Sequence, residues 1–173
     1  DAAGRVIYVG SFSKTLFPAL RLGFLILPDD LRERLLEARR SADVAPPLLD
    51  QLVLADFMAG GHFAHHLRRM RSAYRERLEA LSTAARAYCH PALRLRPAQT
   101  GLHVLADLDG VDAEAVHREA AARGVEVTPL ADYSLVPESA ETGLVLGFGA
   151  SSPAALASGM ERLGEAIAAA GGR

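Results

Sequence analysis

The residues of this chain that could do chemistry crowd into one stretch, Val6-Ile7-Tyr8-Val9-Gly10-Ser11-Phe12-Ser13-Lys14-Thr15, with Pro18-Ala19-Leu20-Arg21-Leu22-Gly23 close behind. Lys14 is the only lysine in the sequence, against 18 arginines. A guanidinium stays charged at any accessible pH. A lysine amine can shed its proton when it is buried or set beside another cation, and can then attack a carbonyl to form an imine. A position that keeps lysine in so arginine-biased a chain is therefore a candidate nucleophile. Its neighbours supply what a phosphate-bearing carbonyl compound needs: hydroxyls from Ser11 and Ser13, and a fixed cation from Arg21, seven residues on. On counting alone, an ordinary surface lysine is the plain alternative. A P-loop fits the same residues poorly, because that motif needs a glycine directly before its lysine, where this chain has Ser13.

Hydropathy patterning gives the elements that would hold this stretch. Val6–Val9 reads as a buried strand ended by Gly10, and Phe24–Leu27 as a second apolar strand stopped by Pro28. Asp30, with Glu33 three positions later, reads as a capping box opening a helix whose inner face carries Leu31, Leu35 and Ala38. Pro46-Pro47 breaks the chain, and a helix over about 48–59 closes at Gly60-Gly61. Phe63, Leu67, Met70, Tyr74, Leu78, Leu81, Ala85 and Tyr88 then recur at spacings of three and four, which predicts one long helix. Its other face carries Arg68, Arg69, Arg71, Arg75, Glu76, Arg77 and Glu79, with the glutamates expected to pair with nearby arginines.

From His90 the texture becomes α+β. Leu93–Arg96 and Gly101–Leu108 read as paired strands. Asp112 caps a helix that runs to about Arg123 and stops at Gly124. Val125–Pro129 and Gly143–Phe148 read as strands, and Ser152-Pro153 opens a last helix with Leu156, Leu163 and Ile167 inward.

Composition narrows the function classes. Half of the 173 residues are apolar, and the net charge of -2 argues against a nucleic-acid surface on this chain by itself. The single cysteine, Cys89, excludes an internal disulfide, suits a reducing compartment and is otherwise read as incidental. No apolar run approaches the roughly 20 residues that cross a bilayer, and no secretory signal opens the chain, so a cytoplasmic protein is expected. The sequence starts without Met just ahead of a strand, which reads as the C-terminal portion of a longer protein. His62, His65 and His66 invite a metal, but no Cys, Asp or Glu stands close enough in sequence to complete a ligand set, so no metal site is expected. His103 and Tyr133 read as packed or surface residues rather than ligand contacts.

The pattern around Lys14 resembles the lysine motif of fold-type-I pyridoxal-phosphate enzymes, the aminotransferase class I/II superfamily. The resemblance implies an α/β fold: the end of the large cofactor-binding domain over 1–61, then an α+β small domain over 62–173 entered through the long helix. It also implies pyridoxal 5'-phosphate held as a Schiff base on Lys14, the catalytic lysine, with Ser11, Ser13 and Arg21 as further cofactor-binding residues. Within the superfamily, Gly61–Arg71 with Tyr74-Arg75-Glu76-Arg77, Gly101-Leu102-His103, Gly124–Leu130 and Gly143–Gly149 are similar to the MocR/GabR regulators. These are bacterial transcription factors of the GntR family with an aminotransferase-like C-terminal domain. That similarity implies a homodimer that senses a small amino compound and meets DNA through an N-terminal winged helix-turn-helix outside this chain. A working aminotransferase is the alternative. One departure bears on the choice: Val145 stands where the enzymes of this fold place an arginine for the substrate carboxylate, and no Arg or Lys occurs between Arg123 and Arg162.

Overall fold

The computed structural model describes residues 3–43, 46–98, 101–136 and 142–171. The chain divides into two compact units, residues 1–69 and 70–173.

In the first unit, β1 (Tyr8–Ser11) and β2 (Gly23–Ile26) form a two-stranded antiparallel ladder in which Tyr8 faces Ile26 and Ser11 faces Gly23. Gly10 does not end the strand as its type suggests. It lies within β1 because the Phe24 ring covers it, where any Cβ would overlap that ring. The strand is not buried either: Val9 is 71 % exposed, and the core of this unit lies elsewhere. That core is small: Phe12, Leu22 and Leu54 are buried, with Leu16, Leu20 and Phe63 packed on them.

Helix α1 (Asp29–Ala42) starts two residues earlier than a cap at Asp30 requires. Pro28 is its N-cap and no side chain caps it, so Asp29 and Asp30 act only through their charge on the first turn. Leu31 and Leu35 are half-buried, while Ala38 is exposed. Helix α2 (Leu48–Ala59) ends at Gly60 and is followed by Gly61 at φ 75°, a left-handed turn that glycine adopts without a Cβ penalty. Helix α3 (His62–Tyr88) then runs unbroken for 27 residues.

The second unit holds a four-stranded antiparallel sheet in the order β3-β4-β6-β5, from β3 (Leu93–Leu95), β4 (His103–Leu108), β5 (Thr128–Pro129) and β6 (Gly143–Gly147). Val104 faces Leu146 and Ala106 faces Leu144, so alternate residues of the central pair share the buried face. Leu81, Ala84 and Ala85 of α3 join this core, as do Val116 and Ala120 of α4 (Ala113–Ala122). Leu156, Met160, Leu163 and Ile167 of α5 (Pro153–Gly171) complete it. Fully buried leucines such as Leu81, Leu144 and Leu163 each contribute about 2 kcal/mol. Asp112 caps α4 by accepting a hydrogen bond from the Ala115 N–H at 2.9 Å, and Gly124 takes φ 70° just past its end.

Four further details differ from the sequence reading. Tyr88 is exposed, and Cys89 takes the inward place at the end of the long stripe. Arg77 is half-buried and spans Tyr74, its guanidinium carbon 5.5 Å from the ring centroid, while donating to the Gly149 carbonyl. Glu76 and Glu79 form no ion pair among the described residues. The strand read over Val125–Pro129 shortens to β5, because Val125 is drawn back to the end of α4, its N–H donating to the Ala120 carbonyl at 2.9 Å. No helix among the described residues is long and apolar enough to cross a membrane.

Candidate functional site

The Lys14 loop leaves β1 and returns as β2. Phe12 N–H donates to the Leu22 carbonyl at 3.0 Å, extending the ladder one step past Ser11 and Gly23. The side chains of Phe12 and Leu22 enter the small core together, so both ends of the loop are anchored by burial. Between them the backbone folds into a single helical turn: Thr15 N–H and Leu16 N–H both donate to the Phe12 carbonyl, at 3.2 and 2.8 Å, and the Thr15 hydroxyl adds a third bond at 3.3 Å. Lys14 rides in the middle of this turn with its side chain exposed.

Ser11 and Ser13 are brought together directly. The Ser13 N–H donates to Ser11 Oγ at 3.2 Å, which fixes the hydroxyl and leaves its own proton free to donate. Arg21 closes the loop in the left-handed region, at φ 49°, after a single 3-10 turn over Pro18–Leu20. Among the described residues, neither the Arg21 guanidinium nor the Lys14 amine has a hydrogen-bond or ion-pair partner, while the Arg21 backbone N–H donates to the Pro18 carbonyl at 3.4 Å. Ser11 and Thr15 also line a cavity of about 510 Å³ with aromatic walls from Tyr8, Phe12, Phe24 and Phe63; Ser13, Lys14 and Arg21 do not.

Two features of this site were not singled out from the sequence. Phe63 meets Phe12 edge-on, with centroids 5.8 Å apart, and the His66 Nε2–H donates to the Thr15 carbonyl at 2.8 Å. The three histidines thus part company: His62 stacks on Phe57 at 5.7 Å, His65 is exposed, and His66 reaches the loop. No cluster that could hold a metal occurs among the described residues. In the second unit His103 and Tyr133 are exposed, and Val145 lies mid-strand in β6 between Leu105 and Thr128.

Chemically, one exposed primary amine, two neighbouring hydroxyl donors and one guanidinium without an ion-pair partner form a donor set that fits a carbonyl compound bearing a phosphate dianion.

The model for aminotransferase class I and II matches residues 1–145. The chain is 34% identical over 170 residues to the probable rhizopine catabolism regulatory protein MocR of Rhizobium meliloti, covering 98% of this chain and 34% of that protein. It is 31% identical over 163 residues to the 2-aminoadipate transaminase of Thermus thermophilus, covering 94% of this chain and 41% of that one. Among solved structures, LysN, the alpha-aminoadipate aminotransferase of Thermus thermophilus crystallised with N-(5'-phosphopyridoxyl)-L-leucine, superposes with a TM-score of 0.81 at 30% identity. The match covers 95% of this chain and 42% of LysN. The chain therefore spans about a third to two-fifths of the length of these relatives.

Proposed function

The chain belongs to the aminotransferase class I and II family, and from that premise we propose that it is the effector-sensing and dimerisation part of a pyridoxal-phosphate-binding transcription regulator. The observation that carries the reading is Lys14 itself, held mid-turn next to the hydrogen-bonded pair Ser11 and Ser13, with no carboxylate engaging its amine among the described residues. The near-complete alignment to a regulator supports sensing as its use. When bound, the cofactor supplies an electrophilic carbonyl that amines compete for. Lys14 holds it covalently. The Ser11 hydroxyl, with one lone pair taken by the Ser13 N–H, would donate a hydrogen bond to the phosphate, and Arg21 would neutralise the phosphate charge. Ser13 shapes the turn that presents the amine. An amino compound would compete with the Lys14 amine for that carbonyl, and a lysine amine left uncombined would be the change that the protein reads. DNA is contacted by a helix-turn-helix segment outside this sequence, and the working unit is a homodimer in the cytoplasm.

A second reading, an aminotransferase in which the freed Lys14 amine also moves a proton on the substrate, draws support from the similarity to the 2-aminoadipate transaminase. Val145 on β6, with no cation beside it on its strand, favours sensing over turnover of amino acids.

The test uses the whole protein. Incubation with pyridoxal phosphate followed by borohydride is expected to fix one cofactor mass on the peptide holding Lys14, and Lys14→Ala to abolish it. Absence of the adduct from the unmutated protein overturns the proposal. Sustained keto-acid release with a second substrate selects the enzyme over the sensor.

A further inference from the structure

Two side chains of α3 grip the Lys14 turn from either side of the lysine. Phe63 packs edge-on against Phe12, two residues before Lys14, and His66 hydrogen-bonds the carbonyl of Thr15, one residue after it. Phe63 and His66 are three positions apart on a helix and so share one face. The Thr15 oxygen can only accept, so Nε2 of His66 carries the proton in this contact. The turn between the two grips is closed by the Leu16 N–H to Phe12 carbonyl bond at 2.8 Å. Its far end is short of partners of its own, since a single isolated turn leaves its last carbonyls unpaired. His66 supplies the partner at one of them. Both residues are half-buried, so each bond forms against a partly desolvated background where the loss of a partner is felt.

We infer that His66 is a positioning residue for Lys14: by holding the Thr15 carbonyl it fixes the turn that aims the amine, with Phe63 as its apolar counterpart on Phe12. Exposed on a short loop, a lysine samples many directions. A backbone clamped on both sides reduces that freedom to the side chain alone, which would raise the fraction of time the amine faces the carbonyl of a compound whose phosphate is held by Ser11 and Arg21. In this role His66 acts through the Thr15 carbonyl and not on the reacting atoms. The inference rests on the function proposed above and is tested so that the two can fail separately.

The experiment has two readouts on the whole protein. The first, in cofactor-free protein, is hydrogen exchange at the Leu16 amide. The second is the rate at which pyridoxal phosphate becomes borohydride-fixable at Lys14. In His66→Leu the lost hydrogen bond should speed Leu16 exchange about fivefold and slow labelling by a similar factor, the equivalent of about 1 kcal/mol. His66→Gln, whose amide can donate from nearly the same place as Nε2, should return both to within twofold of the parent. Phe63→Leu should loosen Leu16 in the same direction.

Unchanged Leu16 protection in His66→Leu overturns the inference, and so does a His66→Gln variant as impaired as His66→Leu. If His66→Leu does not fold, His66→Ala takes its place under the same criteria. No label on Lys14 in the unmutated protein overturns the proposed function, while Leu16 exchange still reports on His66.

Discussion

Helix α5 carries two interior glycines, Gly159 and Gly164, and the structure requires them to answer the same substitution with opposite signs. At Gly159 an added Cβ meets nothing within 4 Å. At Gly164 it overlaps the Tyr88 carbonyl oxygen and stands 3.0 Å from the Tyr88 carbonyl carbon, at the end of α3. Glycine to alanine inside a helix gains about 0.8–1 kcal/mol of intrinsic propensity, and Gly159→Ala should realise most of it. Gly164→Ala receives the same gain but must push α5 away from a backbone atom that has no rotamer to retreat into. Overpacking of that kind costs roughly 1–3 kcal/mol, and an obstacle made of backbone belongs at the upper end. The expected balance is a loss of about 2 kcal/mol at Gly164 and a gain of somewhat under 1 kcal/mol at Gly159. Urea unfolding followed by circular dichroism reads both: with a slope of about 1–3 kcal/mol per molar, the two midpoints should separate by on the order of 1 M, on either side of the parent. Midpoints that move the same way, or a Gly164→Ala variant as stable as the parent, would refute the packing argument.

Other outcomes can be checked alongside. Lys14→Arg keeps the charge but not the nucleophile, so it should retain phosphate affinity, measured by competition with inorganic phosphate, while losing the borohydride-fixed adduct as completely as Lys14→Ala. Cys89 is buried, its thiol donates to the Met160 carbonyl, and desolvation pushes its pKa from 9.0 to about 11. The unfolded chain therefore loses this proton first. Stability attributable to Cys89 is intact below about pH 9 and should decline by about 2–3 kcal/mol between pH 9 and 11. Cys89→Ala should flatten that part of the profile, and in the folded protein a thiol reagent at pH 8 should label Cys89 only as fast as the chain opens. Arg21 holds a left-handed conformation that costs a non-glycine residue roughly 1–2 kcal/mol. Arg21→Gly should then raise the melting temperature while weakening phosphate binding, each read on the same sample.

Much of this was legible from residue type because the signals are local. Gly60-Gly61, Asp112 and Gly124 mark helix ends through backbone and capping chemistry that needs no tertiary partner, and α2, α3 and α4 begin and end close to where those residues stand. Ser11 and Ser13, two positions apart, meet in the turn for the same reason. What escaped depends on contacts distant in sequence. Gly10 reads as a strand end until the Phe24 ring is seen to occupy its missing side chain. Arg77 reads as solvated until the Gly149 carbonyl, 72 residues on, gives it a partner. His66 was indistinguishable from His62 and His65 because the atom it serves, Thr15 O, is 51 residues away. The swap of Tyr88 for Cys89 at the foot of α3 follows from the start of the next segment: Cys89 N–H still bonds back to Ala85 and its carbonyl receives the Leu93 N–H, which turns position 89 inward.

The ends of the four-stranded sheet carry a consequence for how the molecule behaves in a crowded solution. An edge strand is an open template onto which a foreign strand can add, the first step toward aggregation. Here both borders are blunted. β5 is two residues long and finishes on Pro129, which has no N–H to offer. β3 is three residues long and carries Arg94 at its middle, engaged at 2.9 Å with Asp107 of β4. The long, sticky strands β4 and β6 are shut inside, each with a neighbour on both sides. The sheet of the second unit thus offers a foreign strand little to add to at either border.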